Sequence, residues 1–409
     1  MATPLRAAPL AVNSRHSERN ATAYLAFLGI LLAFGIDVAL PAFDEIEADL
    51  SNGGASISLI GTLYFLGMAA GQVVYGPVAD RFGRKPALIF GLSLYAAGAL
   101  ASALAPNFGF LLGARLVWGL GAAAPGALRT AIARDLFEGD QMARIVTAVT
   151  AVFMIGPIFV PLVGQLILTV APWPTVFFAA MAMSVVAMAW TLWFGESLPV
   201  EQQRPLRVRP LANAAALVFR TRVTIGHIVA QTFSGAALFI FLGSSQPIID
   251  QIYGREEQFV FFFGAGGILM VVSLLINNRL IARHGARPMV RAVSSALVVI
   301  TTVGLTVTLL SDGQPSIWVW FGFIALSNAM ITTITPMCSA LALQPMGALA
   351  GTASSILGVM TFAGGAVLAA IVDAQVDTTV TPMALGYAAY AIGCAIALRW
   401  AGDPEQAVI

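Results

Sequence analysis

The sequence predicts an all-α integral membrane protein with twelve spanning helices in two pseudo-symmetric bundles of six. Three observations predict it. Of 409 residues, 58% are hydrophobic and 10% are charged, against about 25% charged in an ordinary soluble domain. The apolar residues gather into stretches of the ~20 residues that a helix needs to cross a bilayer. The chain also repeats itself: Arg81, Gly83, Lys85 and Pro86 recur as Arg283, Gly285, Arg287 and Pro288, an offset of 202 in a chain of 409. An offset of half the chain implies two copies of one six-span unit with parallel topology, a hallmark of transporters that rock about a central site.

The elements follow in order. Residues 1–20, with Arg6, Arg15, His16, Glu18 and Arg19, are too polar for a secretory signal and read as a disordered cytoplasmic tail. Spans are expected at 21–42, 56–78, 86–105, 109–134, 141–166 and 174–194 in a first bundle (21–194). A linker loop at 195–221 follows. The second bundle (222–400) holds spans at 222–246, 257–278, 289–310, 316–337, 349–372 and 382–400, before a tail at 401–409. Basic residues in short loops stay on the cytoplasmic side. With the amino terminus inside, 19 of the 21 basic residues fall on that side, Arg115 and Arg255 being the exceptions. Both termini are therefore expected in the cytoplasm, and the loops bearing Asp44, Glu45, Glu47 and Asp49, or Glu256 and Glu257, outside.

The charge balance, 21 basic against 20 acidic residues, gives no reason to expect nucleic acid as a partner. Two cysteines, Cys338 and Cys394, support neither a disulfide framework nor a Cys-rich metal site. The sequence offers no nucleophile with an adjacent base, no metal-ligand cluster and no phosphate-cradling loop. An enzyme is not expected, nor a cofactor, nor a pump that burns its own ATP; a proton gradient is the energy source left.

An ionisable side chain deep in a span costs at least about 2.5 kcal/mol on insertion scales and marks function by default. Two stand out. Asp37 lies five residues before the expected outer end of span one, roughly 8 Å deep at about 1.5 Å per residue. Arg115 lies about six residues into span four, which enters from the same side, so its depth is roughly 9 Å by the same rise. Matched depths put them at one polar cavity, in contact or linked by water. They serve either as a static ion pair or as a proton-titrating Asp37 biased by Arg115, because desolvation and a neighbouring guanidinium push a carboxyl in opposite directions. His227, near the inner end of span seven, reads as an interfacial residue or a proton relay.

The string Gly76-Pro-Val-Ala-Asp80-Arg81-Phe-Gly83-Arg84-Lys85-Pro86 joins spans two and three. It resembles the loop signature of the major facilitator superfamily. Asp37-Val-Ala-Leu-Pro41 in span one is similar to the first span of the drug:proton antiporters of the Bcr/CflA type. Arg115-Leu-Val-Trp118-Gly-Leu-Gly121 in span four resembles that group's proton-transfer motif, with Trp118 in place of a polar residue. Gly156, Pro157, Pro161 and Gly164 in span five stand at the spacing of the antiporter motif, while Thr147, Val160 and Gln165 replace expected glycines. Independently of any family, mid-span prolines allow a kink, and small residues such as Gly67 and Gly71 allow close helix packing.

The resemblance implies the major facilitator fold and a substrate site near the midplane between the halves. Candidates there are Asp37, Tyr64, Met68, Gln72, Met154, Gln231, Phe239, Phe263 and Asn328. Such an aromatic, Met-containing pocket suits amphiphilic compounds of variable shape. The expected activity is proton-coupled export of small amphiphilic drugs, such as amphenicol- or bicyclomycin-like antibiotics, by a monomer in the bacterial inner membrane. Asp37 carries the proton, Arg115 biases it and the 76–86 loop acts as the gate. The alternatives are a transporter of a physiological solute (a sugar, dipeptide or organic anion) on the same scaffold and, more remotely, a membrane-embedded enzyme or sensor.

Overall fold

A computed structural model describes residues 17–50, 56–137, 145, 149, 152, 156, 159–199, 203 and 215–402. Met154 and Pro157, most of span five, most of the 195–221 linker and nearly all of both tails lie outside the described residues. Among the described residues the chain is helical, with no strand. Eleven helical stretches are long and apolar enough to cross a membrane, and a shorter apolar helix runs from Phe159 to Leu168.

Local signals explain the boundaries. Helix α1 (Glu18–Asp37) is capped by Ser17, whose hydroxyl accepts from Asn20 N–H, and a short turn at Leu40–Ala42 containing Pro41 leads into α2 (Phe43–Leu50). Helix α3 (Leu59–Phe82) runs unbroken through Pro77, so the expected loop at 76–86 is mostly helix. The break is Gly83 alone, at φ 100°, ψ 160°, a conformation that only glycine adopts readily; α4 (Arg84–Ala103) starts at the next residue. Gly285 repeats this bend at φ 81°, ψ 158° between α9 (Phe259–His284) and α10 (Ala286–Leu310). The sequence repeat is thus a repeat of backbone geometry. Asn107 caps α5 (Phe108–Leu136), accepting from Phe110 N–H at 2.9 Å. Helix α6 is the Phe159–Leu168 segment, and α7 (Pro174–Phe194) opens on proline, whose missing N–H costs nothing there.

In the second half, α8 (Arg222–Pro247) and α11 (Ile317–Leu343) are long and buried, while α14 (Thr381–Ala401) closes the chain. Span eleven departs from the expected single helix. It consists of α12 (Ala350–Val359), a wide π turn at Met360–Gly364, and α13 (Gly365–Asp373). Its last residue, Asp373, is 5% exposed, a buried acid that the sequence did not point to.

Burial orders the helices. The apolar windows of α1 and α8 are 72% buried, whereas those of α9 and α10 are 28% buried and face lipid. Helix α5 packs on α3, α4 and α1, and α8 on α14, α11 and α13. The halves meet chiefly where α3 lies along α12, the π turn and α13. Within the first half, backbones touch through small residues. A Cβ on Gly67 would stand 2.1 Å from Leu116 O, one on Gly71 2.5 Å from Ala123 Cβ, and one on Gly119 2.0 Å from Tyr64 O. Close contact of this kind is how helices associate without a hydrophobic drive between them. Gly119→Val is therefore expected to wedge α3 from α5 and lower the Tm in detergent, overpacking costing about 1–3 kcal/mol. Gly113→Ala, into open space on the same helix, leaves the Tm unchanged.

Candidate functional site

Arg115 and Asp37 are each 1% exposed, buried inside the first bundle. Arg115 is held on four sides. Its Nε donates to Ile60 O at 3.2 Å and its Nη1 to Gly35 O at 3.0 Å. The guanidinium carbon lies 4.6 Å from the Tyr64 ring centre and 4.7 Å from that of Trp118, a cation–π sandwich. Trp118 is braced in turn by edge-to-face contacts with Tyr64, Tyr95 and Phe177. Asp37 lies two residues beyond Gly35, whose carbonyl Arg115 holds, yet no N···O contact within 4.0 Å joins the two charges among the described residues. Asp37 Oδ1 has no hydrogen-bond partner among the described residues. The two charges are neighbours, not a clasped pair, and Asp37 does not line the small cavity that Arg115 borders.

The span-five residues bear on the same place. A Cβ on Gly156 would meet Ala33 Cβ at 2.4 Å, and one on Gly164 would meet Val38 O at 2.7 Å, the residue after Asp37. Pro161 is buried between them in sequence. The glycines allow span five to lie against the end of α1 that carries the acid.

At the junction of the halves, three rings stack. Phe65 of α3 lies 4.1 Å from Phe239 of α8 and 6.0 Å from Phe362 of the π turn, all within 19° of parallel. Gln72, two turns below Phe65, presses on span eleven at Gly358. Gly76, a turn further on, faces Ser355, whose Oγ would stand 4.0 Å from an added Cβ. Beside the stack, a cavity of about 20 Å³ is lined by Ser58, Thr62, Arg115, Gly243 and Asp373 among others. Asp373 accepts from Ser244 Oγ at 2.5 Å.

The expected substrate residues divide accordingly. Gln72 and Phe239 stand at the junction. Tyr64 and Met68 are buried where α3 closes on α5. Gln231 accepts from Ser339 Oγ at 2.8 Å and Asn328 from Tyr387 Oη at 2.8 Å, both inside the second bundle. Phe263 stacks on Phe241 at 5.1 Å. Sequence reasoning missed Phe65, Phe362 and Asp373. One residue turns a helix by about 100°, so choosing Tyr64 over Phe65 selects the wrong face.

At the opposite, arginine-rich end, Arg84 is 5% exposed and not a solvated loop residue. Its Nη1 bonds Asp80 Oδ1 at 2.7 Å and its Nε bonds Asp135 Oδ2 at 2.7 Å. Glu196, which the sequence reading did not single out, accepts from the N–H groups of Arg84 at 2.8 Å and Lys85 at 3.0 Å, capping α4 with a carboxylate. Arg81 points to solvent. His227 is buried, its Nδ1 2.7 Å from Val223 O, in a niche with Arg287 and Arg291. Among the described residues no three His, Cys, Asp or Glu side chains group as metal ligands.

Losing one partner of a buried ion pair costs about 3–5 kcal/mol. Asp135→Ala, whose carboxylate is 9% exposed, is therefore expected to destabilise far more than Asp80→Ala, whose carboxylate is 51% exposed. An exposed pair contributes about 1 kcal/mol or less, and thermal unfolding of the two variants measures the difference.

Comparison with known proteins agrees with the architecture. The family model of the Major Facilitator Superfamily matches residues 25–370. The bicyclomycin resistance protein homolog of Haemophilus influenzae is 32% identical over 362 residues, covering 88% of this chain and 90% of the relative. The multidrug resistance protein MdtL of Escherichia coli is 28% identical over 354 residues, covering 84% and 87%. Among solved structures, the D-xylose-proton symporter superposes with a TM-score of 0.76 at 14% identity over 94% of this chain and 97% of that one, a likeness of fold alone. The chain, a multi-pass membrane protein, belongs to the Major Facilitator Superfamily.

Proposed function

We propose that this transporter is a proton-coupled antiporter that exports small amphiphilic drugs across the bacterial inner membrane as a monomer, with its arginine-rich end in the cytoplasm. The observation that carries the reading is the unclasped pair: a buried carboxyl beside a fixed guanidinium, with one oxygen free of described partners. Ionisable groups inside the bilayer mark ion and proton pathways. A carboxyl locked onto an arginine would resist titration, whereas Asp37 is left free to exchange a proton as its surroundings change. A proton crossing the membrane gains about 2.3 kcal/mol per 100 mV, enough to drive a modest drug gradient.

Two further observations support the drug reading. The relatives are named for bicyclomycin and multidrug resistance, and the junction offers a stack of aromatic faces in place of the dense hydrogen-bond donors that a sugar needs. As the halves part, Phe65, Phe239 and Phe362 expose flat apolar surfaces to a ligand. The Arg84 cluster with Asp80, Asp135 and Glu196 ties α3, α4 and α5 together and gates the cytoplasmic end.

Bicyclomycin susceptibility of a pump-deficient host tests this directly. Expression of the wild-type chain is expected to raise resistance, and Asp37→Asn, inserted at equal level, to return it to that of the host. Retained resistance in Asp37→Asn removes the coupling role. Arg115→Lys is expected to fail as well, because an ammonium cannot serve two carbonyls and two rings at once. At the stack, Phe239→Leu is expected to weaken binding of aromatic drugs by about 3- to 10-fold, the range of an aromatic contact, as read by fluorescence titration with ethidium.

A further inference from the structure

Asp373 ends span eleven at the acidic face of the protein, and nothing in the motifs pointed to it. It is 5% exposed. Ser244 of α8 donates to its Oδ1 at 2.5 Å. From the other half of the molecule, Ser58 at the start of α3 comes up beside it and lines the same cavity. Gly243 makes room for this meeting: a Cβ there would stand 2.6 Å from Asp373 Oδ2 and 3.0 Å from Ser58 Cβ. Both carboxyl and serine line the cavity that Arg115 closes from the far side. Nearby, Gln246 of α8 donates to Asp44 of α2. The two residues are 202 apart, the repeat offset, so equivalent positions of the halves meet there. These contacts close the acidic face.

We propose that Asp373 is a second proton-binding site, placed in the outer gate, and that taking up a proton there closes the gate. In the closed form the carboxyl sits among apolar helices, where an ionised group is far more costly than a neutral one. The Ser244 hydroxyl offsets part of that cost and serves either form, since a hydroxyl both donates and accepts, and the Ser58 side chain adds a second polar group at the same cavity. Separation of α3 from span eleven removes Ser58 and admits water, which favours the ionised form. Closure is therefore linked to proton uptake and opening to proton release. The elements packed on α13 bring no other carboxyl against it, while the outer-face acids Asp44, Asp250 and Glu256 act on one another. Of the elements packed on α13, α14 contributes Tyr387 and Tyr390, the π turn contributes none, α3 contributes Ser58 at this level, and α8 contributes Ser244. Arg115, across the cavity, is tied to two carbonyls and two rings and makes no ion pair with Asp373 within 4.0 Å. The sign suits an antiporter: a proton acquired from outside shuts the outer face and travels inward.

The inference rests on the antiport reading for its use, but its test needs no drug. Spin labels at Ala48→Cys and Thr378→Cys, both exposed and on opposite halves, report the width of the outer face by electron–electron dipolar distances. The buried Cys338 and Cys394 remain in place. In nanodiscs, the wild-type distance is expected to lengthen as pH rises from about 5 to about 9. Asp373→Asn is expected to hold it short throughout, and Asp37→Asn to keep the response. Ser58→Ala, which retains the acid and removes the polar group facing it across the gate, is expected to open at lower pH than wild type. It serves as the test should Asp373→Asn fail to fold. A wild-type distance insensitive to pH, a response unchanged in Asp373→Asn, or a Ser58→Ala curve superimposed on wild type overturns the proposal. Drug resistance abolished by Asp37→Asn would stand in any of those cases, so the two readings fail separately.

Discussion

A guanidinium with no access to water must find acceptors and π faces inside the protein, and the first bundle is organised around meeting that need. Arg115 draws the carbonyls of Gly35 and Ile60, and therefore helices α1 and α3, against α5. Gly35 has no side chain because one would strike the Tyr64 hydroxyl at 2.4 Å. Trp118, one turn on from Arg115, gives up a polar contact to supply a ring. With its bonds so committed, the arginine leaves the neighbouring carboxyl of Asp37 in its field but not in its grip. A fixed positive charge beside an acid of variable state is a simple coupling element, since only one of the two members has to change.

The two bundles share a plan but not a chemistry. The bend at Gly83 and that at Gly285 are nearly the same backbone shape. Only the first is surrounded by Asp80, Arg84, Asp135 and Glu196. The first bundle is held by backbone contacts through glycine and by charge. In the second, neutral side-chain bonds such as Gln231 to Ser339 and Asn328 to Tyr387 stand beside the bonds of Asp373 to Ser244 and Arg222 to Trp400 O. Neutral bonds are weaker than charge-assisted ones.

Much of this was legible in the sequence for physical reasons. Spans announce themselves by length and apolarity, and the repeat by spaced charges and glycines. Asp37 and Arg115 stand out because a bilayer makes such residues costly. What escaped was azimuth. Hydropathy states that Phe65 and Tyr64 are both in a span but not which one faces the other half, since both faces of a central helix are apolar. Asp373 escaped because it lies at the margin of a span, where an acid looks like a loop residue until packing shows it enclosed. The burial of Arg84 is not readable from the sequence because its partner Asp135 is 51 residues away, beyond any local pattern. Pro77 falls within the expected span two, and α3 runs through it.

The π turn at Met360–Gly364 carries Phe362 of the aromatic stack and leads into the helix that ends on the acid of span eleven. Such a turn holds one residue more than an α-helical turn. If it relaxed to regular helix, everything beyond it would rotate by about 100° and shift by about 1.5 Å. Asp373 would then swing out from between Ser58 and Ser244 while Phe362 stayed near its place. A change of winding within five residues thus gives span eleven a way to turn its outer third without moving its inner half.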